Sequence, residues 1–456
     1  MHSFLFLKDT SFLSCMFVKI HYFNQKFKLM DRRSFIQKAT VSTAAMVTAI
    51  HFPSFAQNKK LKIGLIGAGW YGMVITKAAL KIGNVEIIAV CDVDTEHLKS
   101  SANEIETLQG SKPLTFKDYR DLLDVKGLEA VMIGTPPHWH ALPFIAACKK
   151  GLHIYCEKPL SYDVLEGMAM VNAVKKAGNI VQIGFQRRQN AAFQKAKDLI
   201  KEGVTGKIHQ IGAQIHYNPA LADHTVQDPP ASLDWDAWCG PAPKLPYRPI
   251  IGHKAWRLEK EYGNGHLVDW GIHHIDTIRK IMDLNMAVSF DTKGDLITLK
   301  GKITTPDTLT ARMNFEECPV IWQHRMWGTG DLNMQFNNGI FFYGEKATLF
   351  ASDNKLVLMP AGRNQEQEEM NISTPDMQEK HVADFLNAVQ AKNKSLLSCT
   401  VEDAFRSTTS VHLAMASYYT NSVVKWDPAI LSVTGNPEAE KLLARPYRSG
   451  YTRPEV

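Results

Sequence analysis

Three glycines spaced as Gly67-Ala68-Gly69-Trp70-Tyr71-Gly72 follow the apolar run Leu61 to Ile66 and precede a helical stretch. In a strand-turn-helix unit that spacing suits a pyrophosphate. The first glycine makes the tight turn, the second lets the backbone approach the phosphates, and the third lets the helix pack closely. Free N–H groups and positive dipole at the helix start then hold negative charge, with Trp70 and Tyr71 beside them. Alone, such a glycine pattern is a weak signal. Here Asp92 ends the second apolar run, twenty residues past Gly72, where a carboxylate holds both ribose hydroxyls and repels an added phosphate. The set points to a dinucleotide, and to NAD ahead of NADP.

The elements that must position these residues can be read from the same stretch. From Leu61 to Phe185, apolar runs of strand length alternate with helical stretches, the pattern of a parallel sheet covered on both faces. Strands are expected at Leu61 to Ile66, Val85 to Cys91, Leu128 to Ile133, His153 to Cys156 and Ile180 to Phe185. Helices are expected at Met73 to Ile82, Thr95 to Leu108, Ala141 to Lys150 and Val164 to Lys176. The fold class is α/β: a Rossmann domain with a doubly wound parallel sheet over 58–184, then a carboxy-terminal α/β domain with an open, mostly antiparallel sheet over 185–456. In that second part, helices are expected at Ala191 to Glu202, His266 to Met282 and His381 to Gln390, and a strand at Lys207 to His216. Residues 287–358 alternate like antiparallel strands. Pro219 to Pro249 reads as a long loop, too polar and proline-rich for a core element, and the tail from Trp426 as mostly irregular.

Three further motifs, Thr135-Pro136-Pro137-His138-Trp139-His140, Glu157-Lys158-Pro159 and Gly263-Asn264-Gly265-His266-Leu267-Val268-Asp269-Trp270-Gly271-Ile272-His273, appear in the order found in the Gfo/Idh/MocA oxidoreductases. From about Leu61 onward the chain resembles that family. The resemblance implies oxidation or reduction of a sugar or polyol carbon, with Lys158, Asp269 and His273 around the nicotinamide. It also implies a carboxy-terminal sheet that makes a homo-oligomer. Thr135, Pro136, His140, Glu157, Lys158 and Gln186 join the glycines, Trp70, Tyr71 and Asp92 as expected cofactor residues.

The chemistry of the residues agrees. Oxidising an alcohol requires hydride loss to the nicotinamide and proton loss to a nearby base. His273 is the natural base, because imidazole titrates near neutrality. Asp269, one helical turn earlier, shares its face and is placed to orient it. Lys158, just past a strand's carboxyl end, lies where doubly wound sheets bind ligands, and its ammonium can stabilise developing alkoxide. Whether Lys158 or His273 takes the proton stays open. Asp276, two turns along the same face, is expected behind the site. Gln186-Arg187-Arg188 and Trp256-Arg257 can hydrogen-bond a sugar, with Arg187, Trp256 and Arg257 as the substrate set. The Asp234-Trp235-Asp236-Ala237-Trp238 segment is left out of the site.

Residues 1–60 hold nine Lys/Arg against two Asp/Glu, whereas the remainder holds 43 against 44. A near-neutral body speaks against a nucleic-acid groove, which needs clustered positive charge. The seven cysteines, at 15, 91, 148, 156, 239, 318 and 399, show no metal-ligand spacing, and no metal is expected. Buried thiols are the expectation for most of them.

Asp31-Arg32-Arg33-Ser34-Phe35-Ile36-Gln37-Lys38, the 12-residue run Ala39 to Ile50 and Ser54-Phe55-Ala56 resemble a twin-arginine export signal cleaved before Gln57. Such a run is short of the roughly 20 residues that span a bilayer, so a periplasmic protein without a permanent anchor is expected. Residues 1–29 do not fit the signal, and Met30 reads as the initiator. Export in turn calls for a tightly bound cofactor. Two other functions compete: an NAD-dependent glycoside hydrolase working by oxidation and elimination, against which Lys158 counts, and a non-catalytic nucleotide sensor.

Overall fold

The computed structural model describes residues 60–253 and 256–456. The export-signal reading, the Met30 start and Cys15 lie outside the described residues. The other six cysteines are buried free thiols. Among the described residues no helix is long and apolar enough to cross a membrane.

The first sheet is parallel throughout, with six strands in the order β3-β2-β1-β4-β5-β6. They are β1 (Leu61–Ile66), β2 (Val85–Cys91), β3 (Leu114–Phe116), β4 (Ala130–Ile133), β5 (His153–Glu157) and β6 (Val181–Gly184). Five were expected. The sixth, β3, is a three-residue edge strand with two exposed side chains, too short to form an apolar run. Strand order reverses between β1 and β4, which opens a ligand crevice at their carboxyl ends. Gly67, Asp92, Thr135 and Lys158 all stand at that edge.

The second sheet has ten strands in the order β14-β13-β12-β11-β7-β10-β9-β8-β15-β16. They are β7 (Ile208–His216), β8 (Ser289–Asp295), β9 (Thr308–Asn314), β10 (Pro319–Arg325), β11 (Asn338–Gly344), β12 (Ala347–Ala351), β13 (Lys355–Pro360), β14 (Glu368–Asn371), β15 (Val424–Asp427) and β16 (Ser432–Thr434). All pairs are antiparallel except β7 with β10. Burial alternates along β9 and β10, so one face packs on helices and the other is left open.

The two sheets share helices. Val382, Phe385, Leu386 and Val389 of the Met377–Ala391 helix pack into the core beneath β1 and β2, so the Rossmann half is completed by residues from far beyond Gly184. The Val401–Thr420 helix was not legible, because fourteen of its twenty residues are buried. A helix buried all round carries no amphipathic stripe.

Two expectations are corrected. The Pro219–Pro249 stretch holds a short helix, Trp235–Cys239, and with the residues after it a core of its own, including Trp235, Trp238, Tyr247, Ile251 and Tyr262. Prolines bar the backbone from a ladder, but aromatic side chains three apart still stack, Trp235 on Trp238 at 4.7 Å. The tail is also less irregular than expected. It adds β15 and β16 to the sheet and a helix at Pro437–Lys441. Beyond that helix, Arg445 and Arg453 fold back onto Asp163.

Candidate active site

The glycine turn leaves no room for side chains where the chain folds on itself, and ample room where a ligand would lie. Gly67 has φ +85°, and a Cβ at Gly72 would come within 1.9 Å of the Gly67 carbonyl oxygen. At Gly69 the nearest atom to such a Cβ is His97 Nδ1, 3.9 Å away. The Trp70–Ile82 helix starts immediately after, without a side-chain cap, so its first N–H groups are available to an anion. Asp92 accepts the N–H of Ala68 at 2.7 Å and of Asp94 at 2.9 Å. Burial raises its pKa, and those donors oppose the rise. These residues line a cavity of about 800 Å³ that also reaches Thr135, Pro136, Trp256 and Arg257. Size and donor set fit a dinucleotide.

At the other end of the crevice, β5 ends on Glu157 and the chain turns through Lys158. The Lys158 Nζ donates to Asp269 Oδ1 at 2.9 Å and to the Asp269 carbonyl at 2.7 Å. Arg257 Nε lies 3.0 Å from Asp269 Oδ2. Burial alone would raise the Asp269 pKa, but Lys158 and Arg257 outweigh it and hold the group below its usual value. Asp269 is therefore an anion between two cations.

His273 is buried, and among the described residues its side chain forms no hydrogen bond; Nδ1 in particular has no partner there. Burial, reinforced by Lys158 and Arg187, drives its pKa well below the ordinary value. The ring is thus held neutral. The expected Asp269–His273 contact does not form, because the Asp269 carboxylate is taken by Lys158 and Arg257. Leu267–Gly271 forms a wide π turn before the regular helix Ile272–Met282, so residues four apart no longer stack as on an α-helix. Such turns recur at functional sites.

Other expected site residues divide. Gln186 donates to the Tyr71 hydroxyl at 2.5 Å, and Tyr71 donates to Gln378 at 2.9 Å. Thr135 Oγ1, Glu157 Oε1 and Gln186 Oε1, at the ends of β4, β5 and β6, are buried without a partner among the described residues, the kind of orphan that a ligand satisfies. His140, expected at the cofactor, is instead buried with its ring nitrogens 2.8 Å from the carbonyls of Pro159 and Thr135. It ties the two loops together. Arg257, expected on substrate, is committed to Asp269 and lies over the Trp256 ring at 4.4 Å. Arg187 pairs with Asp353 at 2.7 Å. Arg188 and Asp276 form a buried ion pair at 2.5 Å, a structural role for both.

Several residues at the site were not expected. Trp270 is 41% exposed, with its ring 6.3 Å from His273 and the Arg187 guanidinium over it at 5.7 Å. Its place beside Asp269 was the available signal. Trp238, set aside on sequence, lines the cavity, as do His97, His253 and Tyr451; only folding brings these together.

Burial pushes the Glu157 pKa up to about 8, against the pull of Lys158. A carboxyl raised in the folded state stabilises fully below its ordinary value, and that stability is lost as pH rises through the folded value. Nucleotide-free protein is thus expected to lose stability from about pH 4.5 to 8, and Glu157→Gln to flatten that slope. Urea unfolding at several pH values measures it; parallel curves for both proteins would contradict the assignment.

Comparison with known proteins identifies both domains. Residues 61–185 match the model for the oxidoreductase family with an NAD-binding Rossmann fold, and residues 197–426 match its C-terminal alpha/beta domain. An inositol 2-dehydrogenase/D-chiro-inositol 3-dehydrogenase from Lactiplantibacillus plantarum is 31% identical over 159 residues, 34% of this chain and 44% of that protein. A glycosyl hydrolase family 109 protein from Stenotrophomonas maltophilia is 25% identical over 222 residues, 46% and 48% of the two chains. The chain thus spans about half the length of the curated relatives it matches. A levoglucosan dehydrogenase solved with NADH and levoglucosan shares the fold, with TM-score 0.62 and 19% identity over 80% of this chain and 99% of that one. Taken with the glycine cradle and the Lys158, Asp269 and His273 cluster, the two domain matches show that the chain belongs to the Gfo/Idh/MocA oxidoreductase family.

Proposed function

We propose that this protein is an NAD-dependent oxidoreductase acting on the CH–OH group of a sugar, glycoside or polyol. The observation that carries the reading is the pairing of Lys158 with Asp269 beside a neutral His273 whose ring has no hydrogen-bond partner among the described residues, with Arg257 joining Asp269 to the cavity that fits a dinucleotide. Bound NAD supplies the hydride acceptor. Lys158, held at the crevice edge by Asp269, faces the substrate oxygen and stabilises its negative charge as the O–H proton leaves. His273 takes that proton, since its ring is uncharged before the reaction. Arg257 keeps Asp269 ionised when Lys158 moves toward substrate. Trp270 offers an exposed aromatic face to a sugar ring.

Sugar and inositol dehydrogenases among the similar proteins support the substrate class. The glycosyl hydrolase relative favours a second reading, hydrolysis by transient oxidation and elimination at bound NAD. Incubation with a nitrophenyl glycoside separates the two: free nitrophenol without net reduction of nucleotide supports the hydrolase, and reduction by sugars without nitrophenol supports the oxidoreductase.

The export motif supports a periplasmic site of action, where no nucleotide pool is available and the cofactor must stay bound between turnovers. Resetting it in place then requires a second substrate, an acceptor ketone or ketosugar. The open face of the ten-stranded sheet supports a homo-oligomer. Asp92→Ala is expected to weaken NAD more than NADP, because it removes a ribose ligand from one and a repulsive charge from the other. Titration with each nucleotide tests this; NADP binding at least as well as NAD to the unaltered protein would contradict the role of Asp92.

A further inference from the structure

The cavity has a wall that does not belong to the Rossmann half, and this bears on how the dinucleotide, once accepted as the bound cofactor, is kept. A carboxylate at the end of β2 takes the adenosine ribose, so the adenosine half lies on the Asp92 side of the glycine turn. There the cavity runs past Val93 and Tyr119. Its lining also includes Trp238 and His253 of the 219–253 segment and Tyr451 of the tail.

The 219–253 segment is attached along the rim. Asp94 forms an antiparallel bridge with Leu233. The Thr95 N–H donates to Ser232 O at 2.9 Å, and the Asp234 N–H donates to Val93 O at 3.1 Å. Farther along, His253 Nε2 lies 2.9 Å from Asp94 Oδ2, and its ring rests on His97 at 4.2 Å. The other Asp94 oxygen caps the Thr95–Gln109 helix by accepting the N–H groups of Glu96 and His97, so the carboxylate that receives His253 is fixed. His253 itself is held at φ +25°, a conformation that a non-glycine residue keeps only when its surroundings enforce it.

A second attachment comes from the tail. Arg448 donates to Asp236 Oδ1 at 2.7 Å and to Gly240 O at 3.0 Å, gripping the short Trp235–Cys239 helix. Tyr451 meets the Trp139 ring edge-on at 5.6 Å, and the Trp139 indole N–H donates to the carbonyls of Ala237 and Trp238 at 3.0 Å. Arg453 anchors the tail's far end on Asp163 at 2.5 Å.

We infer that the 219–253 segment and the tail form a clasp over the adenosine half of the dinucleotide, fastened by His253–Asp94 and Arg448–Asp236, and that opening the clasp limits nucleotide exchange. Each fastener alone is an edge contact of modest strength. Together they hold one covering segment at two points, Asp236 and His253, and contacts that must break before a ligand leaves act on its dissociation rate. Trp238, His253 and Tyr451 thereby become positioning residues for the cofactor.

The test is the release of NADH from preloaded protein into excess NAD, followed by loss of bound-nucleotide fluorescence. Release from the unaltered protein is expected to be slow. His253→Ala and Arg448→Ala are each expected to speed it, and the double variant by about tenfold or more. His253→Gln, which keeps a donor toward Asp94, is expected to release more slowly than His253→Ala. That comparison still decides the matter if the double variant does not fold. Slow release that is unchanged by every variant would overturn the clasp while leaving cofactor retention intact. Rapid release from the unaltered protein would overturn the retention on which the clasp rests.

Discussion

Lys158→Ala and His273→Ala are each expected to lower turnover by about 10²–10⁴, the contribution of a positioned acid or base, while nucleotide stays bound. The two losses arise differently. Without Lys158 the substrate oxygen has no ammonium to meet its charge, and Asp269 keeps only Arg257. Without His273 the substrate loses the imidazole assigned to take its proton; His274, next along the chain, is bonded through Nε2 to Asn338 at 2.9 Å. Steady-state rates and nucleotide content of the purified variants check this. Near-normal turnover in both would remove these residues from the chemistry, and loss of nucleotide would recast them as cofactor ligands. Asp269→Asn is expected to slow turnover less than either, because Asp269 holds Lys158 and Arg257 in place rather than handling the proton.

The glycine turn predicts an equally large effect on binding. Gly69→Ala places a methyl group in open space, with nothing nearer than 3.9 Å, so the folded chain is expected to tolerate it. The same methyl occupies the approach to the pyrophosphate, and NAD affinity is expected to fall at least about a hundredfold, roughly 3 kcal/mol. Gly72→Ala is different in kind: its Cβ would overlap the Gly67 carbonyl at 1.9 Å, and both the fold and the nucleotide are expected to suffer. Thermal unfolding without nucleotide separates the two. Full NAD affinity in Gly69→Ala would show that the phosphates do not pass over that turn.

Much of this was legible because local pattern and position agree. A continuous apolar run, a glycine turn and a helix start specify β1 and its cradle without help from the rest of the chain. Lys158 and Asp92 follow from being at strand ends. What escaped depends on contacts distant in sequence. Arg257 meets Asp269 only once the chain is folded, and His140 turns inward because Pro159 and Thr135 offer carbonyls there. Four-residue spacing implied that Asp269 touches His273; the wide turn at Leu267–Gly271 redirects the carboxylate, and nothing in its five residues announces that geometry. The tryptophans of the loop at 235 and 238 carried a burial signal that the surrounding prolines concealed.

The proposed reaction is hydride transfer from a sugar or polyol carbon to a dinucleotide already bound in this crevice. Its most direct measurement is the near-ultraviolet absorbance of gently purified protein, without added nucleotide, during titration with a panel of sugars, glycosides and inositols. The account predicts that the protein carries stoichiometric nucleotide and that at least one of these compounds reduces it, with the signal lost in Lys158→Ala and His273→Ala. Bound nucleotide that none of the panel reduces, or protein that works only with freely exchanging NAD, would contradict it.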